Sequence, residues 1–200
     1  DAQGSLWLFG GLGYSGGVTG YLNDLWKWDG GNWTWVSGTD QLNHSGNASS
    51  VGGGSPENLP GARRSAVSWK DLDGHLWLFG GYGYSASGLG WLNDLWRWNG
   101  TTWTWMSGSS TVGQDGVYGT KGVATPGNVP GARGGGCSWL DARGDAWLFG
   151  GRSMNDLWKW DGANWTWISG SKDPGQSGTY GTKGLPASGN VPGARDNAVS

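Results

Sequence analysis

The side chains that could hold a transition metal or act as nucleophiles are few and far apart in this sequence. His44 and His75 occur in unrelated contexts, and Cys137 is the single cysteine, which excludes an internal disulfide. A copper or zinc site needs several converging imidazole, thiolate or carboxylate ligands, and a nucleophile needs an adjacent base. The sequence therefore predicts no metal, no cofactor and no catalytic residues, and Cys137 is interpreted as a small buried hydrophobe.

Aromatic and arginine side chains in long polar segments are better candidates for binding. Tyrosine combines an apolar ring with a polar hydroxyl, and loops on a rigid scaffold often carry binding surfaces. The candidates for contact with protein or carbohydrate are Tyr14, Tyr84, Trp91, Tyr118, Tyr180, Arg63, Arg133 and Arg195. An alternative stays open for each type: the aromatic rings pin their own segments to the scaffold, and the arginines stack on tryptophan and bond loop carbonyls.

Five asparagines fit the Asn-x-Ser/Thr pattern of N-glycosylation. They are Asn32, Asn43, Asn47, Asn99 and Asn164. In a secretory eukaryotic protein several of them would carry glycan, whereas in a bacterium the matches would be chance. The sequence leaves both alternatives open.

All these candidates belong to a repeated sequence. Leu-Trp-Leu-Phe-Gly-Gly occupies residues 6–11 and 76–81, and Ala-Trp-Leu-Phe-Gly-Gly occupies residues 146–151. Asn-Asp-Leu-Trp, Trp-Thr-Trp and Pro-Gly-Ala-Arg each occur three times in the same order. Such repetition is typical of stacked structural units. We define three units, at about residues 1–63, 64–133 and 134–195, with residues 196–200 starting a further first strand.

Composition and turn chemistry predict that each unit is four short antiparallel strands. The chain has 43 glycines and 18 tryptophans, which suits aromatic strands separated by tight turns. Asp71–Gly74 and its copies, including Asp1–Gly4, predict the turn between the first two strands, and Asn99-Gly100 predicts the turn between the last two. In the second unit the four strands are predicted at Ser65–Trp69, Leu76–Phe79, Asp94–Trp98 and Trp103–Met106.

Side-chain alternation indicates how the units pack. In the second strand, Trp77 and Phe79 point opposite to Leu76 and Leu78, so both faces are apolar. A small sheet that is buried on both faces needs neighbouring copies, and radial stacking of such sheets is a β-propeller. Antiparallel order then places all the long segments on one rim. They are Leu12–Leu22, Tyr82–Leu92, Gly38–Leu59, Gly108–Val129 and Gly170–Val191.

The order of motifs resembles the Kelch repeat. A strand that ends in Gly-Gly, then Asn-Asp-Leu-Trp, a Trp-rich strand and Pro-x-x-Arg, is most similar to bacterial secreted galactose-oxidase-like Kelch proteins. The likeness covers essentially the whole chain; the long loops, and tryptophan where the family has tyrosine in the third strand, depart from it. It implies an all-β propeller of four-stranded antiparallel Kelch-type blades. It also places Gly80-Gly81 at the end of the second strand and makes Arg63, Arg133 and Arg195 structural in the first instance.

A propeller hosts many unrelated activities, so its function must come from the site. The expected function is a non-enzymatic extracellular or cell-surface module that presents its long loops to protein or carbohydrate. One alternative is a self-assembling subunit of a ring or filament. The other is a fragment of a galactose-oxidase-like copper enzyme.

The net charge and the two ends of the sequence limit the classes of partner that we expect. The formal net charge of −2 leaves no basic stripe for nucleic acid, and no apolar run has the length of a membrane span. The sequence starts at a predicted turn and stops inside a predicted first strand, which splits one blade between the two termini. Propellers typically have about four to eight blades. We therefore expect either a longer chain or a homo-oligomer that completes the ring.

Overall fold

The structure, a computed structural model, describes residues 4–200 as an all-β fold. These residues contain twelve strands in three antiparallel sheets, and no α-helix occurs among them. The predicted turn at Asp1–Gly4 falls mostly on residues 1–3, which lie outside the described part. Each sheet belongs to one sequence unit, so the repeat in sequence is a repeat in structure.

The strands of each sheet follow one another in chain order. The first sheet contains β1 (Leu6–Ser15), β2 (Val18–Trp28) and β3 (Trp33–Ser37). The second contains β4 (Arg63–Arg64), β5 (Val67–Lys70), β6 (Leu76–Ser85), β7 (Gly88–Trp98) and β8 (Trp103–Ser107), with β4 and β5 both paired to β6. The third contains β9 (Cys137–Leu140), β10 (Ala146–Gly151), β11 (Met154–Trp160) and β12 (Trp165–Ser169). The four predicted strands of the second unit are confirmed, with longer middle strands.

Aspartate and asparagine side chains hold the short turns, as their positions predict. The Asp29 carboxylate accepts hydrogen bonds from the backbone N–H groups of Gly31 and Asn32, both at 2.8 Å. In the turn between β9 and β10, the indole of Trp147 donates to Asp141 over 3.0 Å. That hydrogen bond lowers the pKa of Asp141 below its usual value. The short turns, which lie on one rim of the sheets, are therefore fixed by hydrogen bonds from backbone and indole N–H groups to these side chains.

The second sheet is buried on both faces, in agreement with the alternation in its sequence. Leu78 and Trp96 pack in one cluster with Leu25 of the first sheet. Phe79 packs in a second cluster with Leu148 of the third sheet. The three sheets thus stack face to face in chain order, and tryptophan supplies much of the contact area.

The Gly-Gly pair does not end the second strand, so that part of the expectation is wrong. In β6 the pairing with β7 shifts between Phe79 and Gly81, which marks a β-bulge, and the strand then continues to Ser85. Gly80 and Gly81 have φ angles of +63° and +101°. A bulge with positive φ uses glycine because other side chains are strained there.

The predicted loops Leu12–Leu22 and Tyr82–Leu92 are also wrong, because both segments are strand extensions. They form two hairpin arms, which we define as residues 12–22 and 82–92. Gly16 and Gly17 make the first turn with φ angles of +59° and +82°, the requirement of a type I′ hairpin. The third unit has no arm, because Arg152 and Ser153 turn the chain directly after β10 with φ angles of +50° and +59°.

Three long loops, residues 38–62, 108–132 and 170–194, follow the fourth strand of each unit. Each folds back on itself through one isolated bridge, such as Val117 with Val129. The first two also bind the sheet of the following unit: Gly52 N–H donates to the Trp105 carbonyl at 2.7 Å, and Gly122 N–H to the Trp167 carbonyl at 2.8 Å. The first two long loops therefore join one unit to the next.

Residues 196–200 form no strand, in contrast to the expectation of a further first strand. Ser200 Oγ donates to the carbonyl of Ser138 in β9 over 2.7 Å. Ser138 Oγ makes the corresponding bond to the carbonyl of Ser68 in β5 over 3.0 Å. The segment therefore lies beside the first strand of the preceding unit and pairs with no second strand.

Candidate functional site

The arginines of the first two Pro-Gly-Ala-Arg motifs, Arg63 and Arg133, pair with an aspartate in the sheet of the next unit. Arg63 is buried, and its guanidinium donates to both carboxylate oxygens of Asp94, at 2.6 and 2.7 Å. Its Nε donates to the carbonyl of Gly61 at 2.9 Å. A two-pronged Arg–carboxylate pair is strong and geometrically specific. The predicted bond to a loop carbonyl is confirmed at Arg63. Its guanidinium pairs with Asp94 in place of the predicted stacking on tryptophan, and this ion pair was not anticipated.

Arg133 repeats this arrangement with Asp156. Its Nη2 lies 2.8 Å from Oδ2 of Asp156, and both side chains are almost fully buried. Burial alone would lower the pKa of Arg133, but the carboxylate of Asp156 outweighs burial and raises it. Asp156 accepts hydrogen bonds from Arg133 and, at 2.7 Å, from the indole of Trp158.

Tyr118 contacts the same ion pair from the long loop of the second unit. Its hydroxyl donates to Oδ2 of Asp156 at 2.7 Å. Its ring packs between Trp158 and Trp167, with centroids 4.9 and 5.0 Å away. The hydroxyl and ring of Tyr118 are thus engaged inside the protein, which corresponds to the alternative in which an aromatic side chain pins its loop.

The environment of Tyr118 gives a prediction for Tyr118→Phe. The loss of one hydrogen bond should lower the free energy of unfolding by about 1–2 kcal/mol. Tyr180 occupies the same place in its Tyr-Gly-Thr-Lys-Gly motif but is 77% exposed, so Tyr180→Phe should change stability by less than about 0.5 kcal/mol. Urea denaturation of both variants measures the difference, and equal effects would contradict this role for Tyr118.

Alkaline pH should reveal the same interaction. Burial, and then the negative charge of Asp156, raises the pKa of the Tyr118 hydroxyl well above its usual value. The folded pKa exceeds the unfolded one, so the protonated Tyr118 hydroxyl makes its full contribution to stability below about pH 10. That contribution is lost as the pH rises further. Wild type should therefore lose more stability than Tyr118→Phe between neutral and strongly alkaline pH.

The hairpin arms hold three of the predicted binding residues. Tyr14 is exposed on β1, and Tyr84 on β6 makes an edge contact with Tyr21 of the first arm at 6.0 Å. Trp91 on β7 contacts Tyr82 at 5.0 Å, and the guanidinium of Arg152 lies 5.7 Å from the Trp91 ring. These side chains lie on paired strands and not in loops. Their backbone is therefore fixed.

A cleft opens on the long-loop rim between the second and third units; we call it the loop cleft. Its volume is about 440 Å³. Its exposed polar side chains are Gln114, Asp115, Arg152, Lys172 and Asp173. Arg152 also donates to the carbonyl of Ala132 at 3.0 Å, which holds its guanidinium at the cleft wall. The loop cleft thus brings together carboxylate, amide and guanidinium groups that are not among the predicted binding residues, and its wall also includes Tyr118 and Arg133, which are.

The histidines and the cysteine are not brought together. Nδ1 of His44 accepts from Gly46 N–H at 3.0 Å, and Cys137 is half-buried in β9. In the described part of the chain, the group whose atoms could converge on a metal is Asp71, Asp73 and His75. Asp71 already accepts hydrogen bonds from His75 and from the Trp77 indole at 2.8 Å. This arrangement is that of a structural turn.

The five glycosylation-pattern asparagines lie at turns or in the first long loop. Four are exposed and Asn164 is half-buried. Nδ2 of Asn47, the atom that would carry glycan, donates to the carbonyl of Glu57 at 3.1 Å. Asn99 uses its side-chain oxygen to hold the turn before β8. Asn99 and Asn47 therefore have structural roles without glycan.

The chain matches no protein-family model and no curated protein. Across residues 4–200, no helix has the length and apolar character that crossing a membrane requires.

Proposed function

We propose that this chain forms blades of a Kelch-type β-propeller and acts as a non-enzymatic extracellular binding module. Three observations support the propeller: the sheets repeat with the sequence units, the strands of each sheet follow one another in chain order, and the middle sheet is buried on both faces. The long loops that join the units cover one rim. That rim is the surface on which we place the binding function.

The loop cleft carries the binding proposal, because its chemistry suits a carbohydrate. Asp115 and Asp173 offer carboxylate oxygens that accept from sugar hydroxyls, and Arg152 and Gln114 offer N–H donors. Convergent polar groups in a concave site provide orientation and specificity. The cleft volume of about 440 Å³ suits a small ligand, and the surrounding arms could also contact a protein.

A glycan array tests this proposal directly. Wild-type protein should bind one class of glycan, and Arg152→Ala or Asp115→Asn should weaken binding about tenfold or more, since each removes a polar partner of the ligand. Arg143→Ala is the control, because Arg143 is exposed in a turn on the opposite rim and should leave binding unchanged. Binding that persists in both cleft variants would reject the loop cleft, and an array without binding would reject carbohydrate as the ligand.

A further inference from the structure

The joint between the second and third units is made by three side chains of the second long loop and its Arg motif. Tyr118 and Arg133 both bond Asp156. Lys121 lies 4.2 Å from the centre of the Trp167 ring and donates to the carbonyl of Gly170 at 3.2 Å. One unit therefore supplies a hydroxyl and two cations, and the next supplies a carboxylate, indole rings and a carbonyl.

The receiving half of this joint recurs on the first sheet. Asp24 accepts from the Trp26 indole at 2.6 Å, as Asp156 does from its own tryptophan. The rings of Trp26 and Trp35 stack at 6.3 Å, and Trp35 is 49% exposed. Among residues 4–200, no cation forms an ion pair with Asp24. The first sheet thus offers the carboxylate and indoles of a joint without the donors.

The donating half recurs in the third unit. Tyr180 and Lys183 occupy the Tyr and Lys positions of the same Tyr-Gly-Thr-Lys-Gly motif, and both are exposed. Arg195 is exposed, but its Nε donates to the carbonyl of Gly193 at 2.9 Å. Arg133 makes the same bond to Gly131 at 2.9 Å. Arg195 thus makes the same local bond as the arginine of the occupied joint, and its guanidinium lies 6.0 Å from the centre of the Phe149 ring.

Apolar surface accompanies both halves. On the first sheet, Leu6 and Leu8 are 63% and 52% exposed; the corresponding Leu76 and Leu78 pack against the preceding unit. At the other end, a groove lined by Trp139, Phe149, Leu157 and Val199 remains open. The two end faces thus carry opposite charges, and both expose apolar side chains. The faces that pack together inside the chain are complementary in the same way.

We propose that the two end faces bind each other between copies of this chain. Tyr180, Lys183 and Arg195 of one protomer dock on Asp24, Trp26 and Trp35 of the next, in continuation of the internal joints. This head-to-tail contact is independent of the carbohydrate proposed for the loop cleft. A heterologous joint closes into a ring if its rotation divides the circle and otherwise grows into a filament.

Light scattering and sedimentation of designed variants test the proposal. Wild type should show masses that rise with concentration in multiples of 21.0 kDa. Asp24→Lys removes the receiving face and Arg195→Glu removes the donating face, so each variant alone should stay at 21.0 kDa. Arg195 is exposed and its substitution leaves the fold intact, which near-ultraviolet circular dichroism verifies. Asp73→Lys and Arg143→Glu, in exposed turns away from both faces, should assemble like wild type.

Mixing the two variants provides the decisive measurement. The Asp24→Lys chain retains the donating face and the Arg195→Glu chain retains the receiving face, so the mixture should form a 1:1 complex that grows no further. A wild-type chain that remains at 21.0 kDa up to about 100 µM overturns the proposal. It is also overturned if the variants assemble like wild type, or if the mixture forms no complex.

Discussion

Replacement of Arg133 with alanine should lower the free energy of unfolding by about 3–5 kcal/mol. The guanidinium pairs with Asp156, whose side chain is fully buried. Removal of the cation leaves that carboxylate without its opposite charge in a site from which water is excluded. It also removes the bond from Nε to the Gly131 carbonyl, which shapes the end of the second long loop. Urea denaturation followed by tryptophan fluorescence measures the change.

Arg195→Ala is the matched control for this prediction. Arg195 stands in the same Pro-Gly-Ala-Arg motif and makes the same local bond, but it is exposed and has no carboxylate partner among the described residues. Its replacement should change stability by less than about 0.5 kcal/mol when measured at a concentration where the chain is monomeric. Comparable losses in the two variants would mean that the motif acts through its own loop, and that the ion pair contributes little.

Much of the fold can be predicted from the sequence, because local chemistry decides it. The alternation in Leu76–Phe79 has two apolar faces whichever neighbours are present, and Asp29-Gly30 or Asn99-Gly100 make turns through their own side chains and backbone. These features need information from only a few adjacent residues. The strands, the short turns and the two-sided burial of the middle sheet were accordingly predicted.

The hairpin arms were missed because their glycines interrupt the strand pattern. Gly13 and Gly20 lie opposite each other in the first arm. A Cβ on Gly20 would lie 2.9 Å from the Cβ of Leu42, and one on Gly13 would lie 2.7 Å from Leu22. These glycines leave room for side chains that cross the arm. The sequence feature that could have predicted the first arm is Gly16-Gly17, a pair that suits a two-residue hairpin turn.

The partners of the candidate binding residues could not be predicted, because they lie in a different unit. Tyr118 and Tyr180 share one motif, yet Tyr118 is packed between tryptophans of the third sheet and Tyr180 is exposed. Local sequence is the same at both positions, and what differs is the surface that faces them. The same holds for Arg133 and Arg195. Sequence repetition thus identifies the contacts that can form, and the stacking of units determines which ones do.

The same distinction applies to Leu-Trp-Leu-Phe-Gly-Gly, where the second glycine allows a direct test of packing. Gly11 and Gly81 have nearly equal φ angles, +109° and +101°. A Cβ on Gly81 would lie 2.7 Å from the carbonyl oxygen of Arg64 and 3.1 Å from the nitrogen of Ala66. A Cβ on Gly11 would meet no atom of residues 4–200 within 4 Å. The pair therefore shares the backbone strain and differs in crowding.

Gly11→Ala should cost about 1–3 kcal/mol, the effect of a positive φ on an alanine. Gly81→Ala should lower the free energy of unfolding by about 1–3 kcal/mol more than Gly11→Ala does, because the backbone of Arg64 and Ala66 must move to admit a methyl group. Thermal unfolding at monomeric concentration should place the melting temperature of Gly81→Ala below that of Gly11→Ala by several degrees. Equal melting temperatures would mean that the second glycine serves the bulge alone. In that case the close approach of the backbone at Arg64 and Ala66 would not be what requires glycine at position 81.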